Sequence, residues 1–253
     1  MTPFQLVLAD LHVHTVVSAC AEVEMIPPLV VRRARELGVG LLAVTDHHSV
    51  ENAGAVQEAA EPYGIRVLPG MEVQTREEVH VVCLFDELGQ ALGWQETIWS
   101  HLPDLPNRDE FFGPQYVVDA TGEYVRTNER LLQTSTDLSF ETVLERVQQQ
   151  GGLALPAHVD RARFSLFANL GMIPLGVRLA GVEISPNISA AEAVRRFPSL
   201  AGLGMVQSGD AHRLDEMTNR TQFRLAALTV AELKMALGGE QGRRFWLHAD
   251  RLL

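Results

Sequence analysis

The chain has 253 residues, a formal net charge of −11 and 46% hydrophobic residues, a size at which strand-helix barrels are routinely one domain, so a single domain over 1–253 is expected. Its apolar runs are short and broken by Gly, Pro or charges, which excludes a membrane span of about 20 residues; with no basic stretch ahead of an apolar segment at the N-terminus, a cytoplasmic location is expected. The acidic balance makes long nucleic acid an unlikely partner, because such binding rests on Lys and Arg, and Cys20 and Cys83 make no disulfide framework.

In chain order, residues 6–9 form an apolar strand that runs into Asp10-Leu11-His12-Val13-His14-Thr15. Side chains alternate faces along a strand, so His12 and His14 point the same way and can grip one cation together. Pro27 and Pro28 open an amphipathic helix over 29–37 that stops at Gly38, the usual placement of Pro and Gly at helix ends. The strand 41–44 leads into Thr45-Asp46-His47-His48, and 51–60 reads as the next helix. The run 66–69 leads to Gly70-Met71-Glu72, and the strand 79–82 carries His80.

The stretch 86–138 fits the alternation badly and reads as an insertion. It holds a helical spacing over 94–101, a Pro-rich connection, and two short strands, 115–118 and 123–126, around Asp119-Ala120-Thr121-Gly122, a hairpin signal. Its place between the His80 and His158 strands suggests a wall over the site that selects the substrate, or else a packing element or an oligomer contact.

Alternation then resumes. A helix over 139–150 has a capped start at Ser139 and closes at Gly151-Gly152; the strand 153–156 precedes Ala157-His158; a helix covers 190–196; and Met205-Val206-Gln207 leads to Ser208-Gly209-Asp210-Ala211-His212. A last helix, 229–237, ends before Gly238-Gly239. Any one histidine here also reads as a buried, hydrogen-bonded core residue. Six histidines and two carboxylates repeated at strand ends favour convergence on one barrel face instead.

The ordered set Asp10-Leu11-His12-x-His14-Thr15, Thr45-Asp46-His47, Gly70-x-Glu72, His80, Pro156-Ala157-His158 and Gly209-Asp210-Ala211-His212 resembles the PHP (polymerase and histidinol phosphatase) family. The resemblance spans nearly the whole chain. It implies an α/β fold, a distorted (β/α)7 barrel whose mouth holds two or three divalent metals, zinc, manganese or iron, used to hydrolyse phosphoesters by a hydroxide bridging two ions. Carried over, His12, His14, Glu72 and Asp210 hold one ion; Glu72 bridges to a second on His80 and His158; His47 and His212 hold a third. The family's further ligand after the second histidine is missing, since Ala19 and Cys20 stand there. Cys20 as a thiolate suits zinc or iron, with a small buried thiol as the alternative and Glu22 and Glu24 as weaker substitutes.

Asp210, His212 and Arg161 are expected to act on the substrate beside the ions. Arg161 is the first choice as a phosphate clamp, ahead of Arg163, Arg213 and Arg76, because a guanidinium donates two parallel hydrogen bonds. Asp10 and Asp46 are expected to orient histidine ligands, His48 to support the site or touch substrate, and His101 and His248 to lie on the surface. The favoured substrate is a small phosphorylated metabolite or nucleotide. An exonuclease trimming short oligonucleotides is the alternative, and a scaffold without activity a distant third. The sequence leaves the oligomeric state open.

Overall fold

The computed structural model of the chain describes residues 3–248. Strand β1 (Gln5–Val13) is followed by helix α1 (Pro27–Glu36), β2 (Val39–Val44), α2 (Ala53–Ala60) and β3 (Arg66–Gln74), with β1, β2 and β3 mutually parallel. Alternation of strand and helix produces this directly, since parallel neighbours need a crossover. Pro27 opens α1, Val30, Val31 and Ala34 bury its apolar stripe, and Gly38 adopts φ 70° just past its end, which only Gly does without cost.

Next, β4 (His80–Leu84) returns antiparallel to β3, with Gln74 opposite His80. After α3 (Leu88–Ser100), α4 (Asp109–Phe112), the hairpin of β5 (Tyr116–Val118) and β6 (Tyr124–Thr127), and α5 (Phe140–Gln149), strand β7 (Leu153–Pro156) pairs antiparallel with β4. It therefore runs with β1 to β3. The chain continues through α6 (Leu166–Asn169), β8 (Val182–Glu183), α7 (Ala190–Arg196) and β9 (Met205–Val206), then β10 (Thr221–Leu225), α8 (Val230–Leu237) and β11 (Arg244–Leu247).

Seven strands form a curled sheet in the order β11-β10-β1-β2-β3-β4-β7, and β8 and β9 make a separate parallel pair. That pair spans the open side. Val159 N donates to Glu183 O (2.9 Å), Ile184 N to Val206 O (3.0 Å), and Ala211 exchanges hydrogen bonds with His12 and His14 at the end of β1. One edge of β1 is thus shared: residues 5–9 pair with β10, and its final residues pair with 211.

Faces of the strands separate two cores. Ala9, Leu11, Leu41, Ala43, Leu68, Val82, Leu84, Leu153 and Leu155 meet Leu233 and Leu237 of α8, while the alternate residues Leu42, Val44, Val67, Val81 and Cys83 pack under the helices, as period-two patterning requires. The register of β1 against β2 shifts between Asp10 and Val13. Such a bulge re-aims side chains at a strand end, here the one that carries His12 and His14.

Within 86–138 the first part belongs to the core: Trp94 and Ile98 of α3 are fully buried. The hairpin forms as expected, and Asn52 ties it down. The Asn52 side chain donates to Tyr116 O (3.0 Å) and Thr15 Oγ1 (2.9 Å) and accepts from Val118 N (2.9 Å). This role, together with Glu51 accepting from Asn128, explains why α2 starts at Ala53 rather than at 51.

Candidate metal centre

His12, His14, Glu72 and Asp210 come together, Glu72 meets His80 and His158, and His14 meets His47 and His212. The eight side chains converge because they stand near the C-terminal ends of strands or in the loops that follow them, at the same rim. His80 is the exception that confirms the geometry: it begins β4, and because β4 is reversed its start lies where the other strands finish.

Glu72 is the hub. Its Oε1 lies 2.8 Å from His80 Nδ1, 3.2 Å from His158 Nε2 and 3.4 Å from His12 Nε2, and its Oε2 lies 3.1 Å from His47 Nδ1 and 3.5 Å from His14 Nε2. Asp210 Oδ1 lies 3.2 Å from His12 Nε2 and 3.1 Å from His14 Nε2. Burial works against the charge on Glu72, yet His80 and His12 hold the carboxyl well below the usual carboxylate range. Burial likewise opposes protonation of His14, but Asp210 and Glu72 outweigh it and lift the ring to about 9. His212 goes the other way, to about 3, through burial and the neighbouring His14.

These contacts fit divalent cations. The Nε2 atoms of His12 and His14 face each other at 3.2 Å, a contact that two ring nitrogens sustain only around a shared proton or cation. Glu72 Oε2 and His158 Nδ1 are buried without a directed hydrogen bond, which is costly unless another partner satisfies them. Imidazole and carboxylate together suit zinc, manganese or iron.

Around this shell stand further carboxylates. Both oxygens of Glu183 lie 3.1 Å from His12 Nδ1, and one accepts from His158 N at 3.1 Å; a carboxylate there fixes the ring so that Nε2 faces inward. Sequence reasoning missed Glu183, whose only signal is an acid inside a short apolar run. Asp46 acts at one remove: it accepts from Thr15 N, Thr15 Oγ1 and Ser18 Oγ, and Ser18 Oγ lies 3.0 Å from His14 Nδ1. Asp10 does not touch a histidine through its hydrogen bonds. It accepts from Gly209 N (2.9 Å) and Thr218 N (2.8 Å), holding the loop that presents Asp210, and burial raises its carboxyl to about 7.

His48 is turned away from the centre. Gln74 N donates to its Nε2 (2.9 Å), which leaves the Nδ1 proton for Leu132 O (2.7 Å), and burial lowers the ring to about 4. Cys20 is exposed and belongs to none of the three ligand groups among the described residues; the third group is completed by His14 instead. His101 bonds Asp137 (2.6 Å) and His248 bonds Gln222 (3.2 Å), and neither lines the cavity over the centre.

A cavity of about 420 Å³ opens over these residues, lined by His47, Glu72, His80, His158, Asp210, His212 and the segment 161–164. Its wall is that segment. No residue of 86–138 lines it, because the hairpin is pinned instead to the loop after β1 by Tyr116 N donating to Val16 O. Arg161 pairs with Asp210 and remains partly open to the cavity, as does Arg163, whereas Arg213 bonds Glu216 and Arg76 bonds Glu77 on the surface.

Among known proteins, the 5'-3' exoribonuclease Rnm of Salmonella typhimurium is 36% identical over 83 residues, 31% of this chain and 27% of that protein. The chain thus aligns with about a quarter of that relative's length. The lesion-specific endonuclease Q of Pyrococcus furiosus superposes with a TM-score of 0.67 at 17% identity, covering 95% of this chain and 58% of that one. A protein from Bifidobacterium adolescentis described as a metal-dependent phosphoesterase superposes at 0.56, with 19% identity over 81% and 87% of the two chains.

One expectation falls here. Long nucleic acid is not an unlikely partner, since endonuclease Q with this fold is also solved on a 27-mer duplex and Rnm is named an exoribonuclease. The inference from the net charge fails because surface charge is screened within about 8 Å, so the net charge of the whole chain does not decide what its cavity binds. No helix among the described residues is long and apolar enough to cross a membrane. The PHP domain family matches residues 10–162, the segment that supplies six of the eight converging residues, His12, His14, His47, Glu72, His80 and His158; with more than half of the chain matched, the chain belongs to the PHP domain family.

Proposed function

We propose that the chain hydrolyses a phosphodiester at the end of a nucleic-acid strand or in a short oligonucleotide, with one nucleotide unit seated in the cavity. The observation that carries this reading is the stack of three ligand groups on the floor of an open cavity whose wall offers two arginines. Its volume of about 420 Å³ falls in the range of small-molecule sites. The named relatives that act on nucleic acid support the substrate class.

His12, His14, Glu72 and Asp210 would hold one ion, Glu72, His80 and His158 a second, and His47 and His212 a third. Such ions supply positive charge to phosphoryl oxygens and acidify water toward neutral pH. Arg161, anchored through Asp210, keeps its remaining N–H groups for a phosphoryl oxygen, and the anchor fixes their direction in advance of binding. Glu183 and Ser18 hold the rings of His12 and His14, so the donor atoms need no rearrangement. A small phosphorylated metabolite is the second reading, favoured by the same modest cavity.

Elemental analysis of the purified protein, followed by assays on oligonucleotides, mononucleotides and sugar phosphates with zinc, manganese or iron, tests both. At least two ions per chain are expected from the shared Glu72. Fewer than about one ion per chain, with no turnover on adding metal, overturns the proposal; turnover of sugar phosphates alone promotes the second reading.

A further inference from the structure

Phe164 is 39% exposed although its neighbours Ser165 and Leu166 are fully buried. It lines the cavity, and its ring stacks on His80 with centroids 4.9 Å apart and planes 17° from parallel. Its backbone has φ 54°, a left-handed conformation that bulky residues avoid, and two anchors hold it there. Phe164 O accepts from His80 N (3.0 Å), and Ser165 Oγ donates to Arg161 O (2.6 Å) and accepts from Ala168 N (3.2 Å). A ring kept exposed by a strained, well-anchored backbone is not there for core packing.

One face of the ring lies on His80, and the side chain is partly exposed and lines the cavity. The same turn carries Arg161 and Arg163 into the cavity wall, so a phosphate held at the arginines has a flat apolar surface beside it. We infer that Phe164 is a specificity residue, a platform on which the nucleobase attached to the bound phosphate stacks. Stacking of this kind is tolerant of base identity because every base offers a π-face, so the platform selects nucleotides over sugar phosphates without selecting a sequence. The inference deepens the proposed function and rests on it for the substrate class.

The test is calorimetric titration of the metal-loaded protein with adenosine 5'-monophosphate and with ribose 5-phosphate, in the wild type, Phe164→Leu and Phe164→Trp. Leucine keeps the cover over His80 and removes the π-face, and metal content is measured in each variant. The wild type should bind the nucleotide about tenfold more tightly than the sugar phosphate, which is within the range of one base-aromatic stack. Phe164→Leu should erase the preference by weakening the nucleotide alone, and Phe164→Trp should keep it. Equal binding of both ligands by the wild type overturns the platform, as does an equal loss of both ligands, or of metal, in Phe164→Leu. A selective platform in a protein that hydrolyses no oligonucleotide or nucleotide would leave the platform standing and sink the proposed activity, so the two failures are distinct.

Discussion

The candidate metal centre has two halves of unequal build. His12, His14, His47, Glu72 and His80 stand on or beside strands of the seven-stranded sheet, and none of them has a positive φ. His158 and Asp210 follow a four-residue and a two-residue strand and have φ of 30° and 46°. Conformations of this kind cost about 1–3 kcal/mol each and persist only where the surroundings over-determine them. Glu183 and Asp10 provide that determination, through His158 N and through Gly209 N with Thr218 N. The sheet half is rigid through its ladder; the other half is rigid through buried carboxylates that bond backbone.

The largest effect should come from the atom pair both halves share. Glu72→Gln should cost at least one ion per chain and lower turnover by more than about a hundredfold, the upper end for a carboxylate that only orients a ligand. Elemental analysis and steady-state kinetics check it. Glu183→Gln should then weaken metal binding by about ten- to a hundredfold, measured by competition with a chelator. An effect of Glu183→Gln as large as that of Glu72→Gln would erase the distinction between a shared ligand and a support.

Acid should separate the halves differently. His48 has its folded pKa lowered to about 4 from 6.5, so the unfolded chain takes up its proton first as pH falls. Stability from this group is complete above about 6.5 and is lost between there and about 4, amounting to about 3 kcal/mol. Denaturant titrations across that window should show a steeper acid loss in the wild type than in His48→Gln; parallel curves would remove His48 from the account. The smallest effect belongs to a helix away from both halves. Ser139→Ala removes the cap on α5 and should cost about 1 kcal/mol, read as a lower melting temperature with metal content unchanged.

The helices, and the residues that converge on one rim, are legible in the sequence because each carries local chemistry: Pro27 and Gly38 at the ends of α1, Ser139 before α5, His and Asp after apolar runs. What was not legible depends on partners distant in the chain. The reversal of β4 follows from a short turn between Gln74 and His80, while the alternation around it suggests a uniform parallel barrel. Glu183 sits on a two-residue strand and gains meaning only from His12, 171 residues away. The sequence offers 86–138 as a wall, a packing element or an oligomer contact because it interrupts the alternation, whereas residues 161–164 line the cavity through a backbone turn that leaves no compositional mark. Cys20 matched a position in the pattern, but the loop after β1 leaves it outside the ligand groups.

The reversal of β4 also sets an order of assembly. Glu72 and His80 meet across 8 residues and Glu72 and His158 across 86, whereas His14 and Asp210 close a loop of 196. Loop-closure entropy grows with the logarithm of length, so the last contact costs about 3 kcal/mol more than the first before any packing compensates. Glu72 and His80 can therefore be brought together by one short hairpin, whereas the contact between His14 and Asp210 waits on the C-terminal third of the chain.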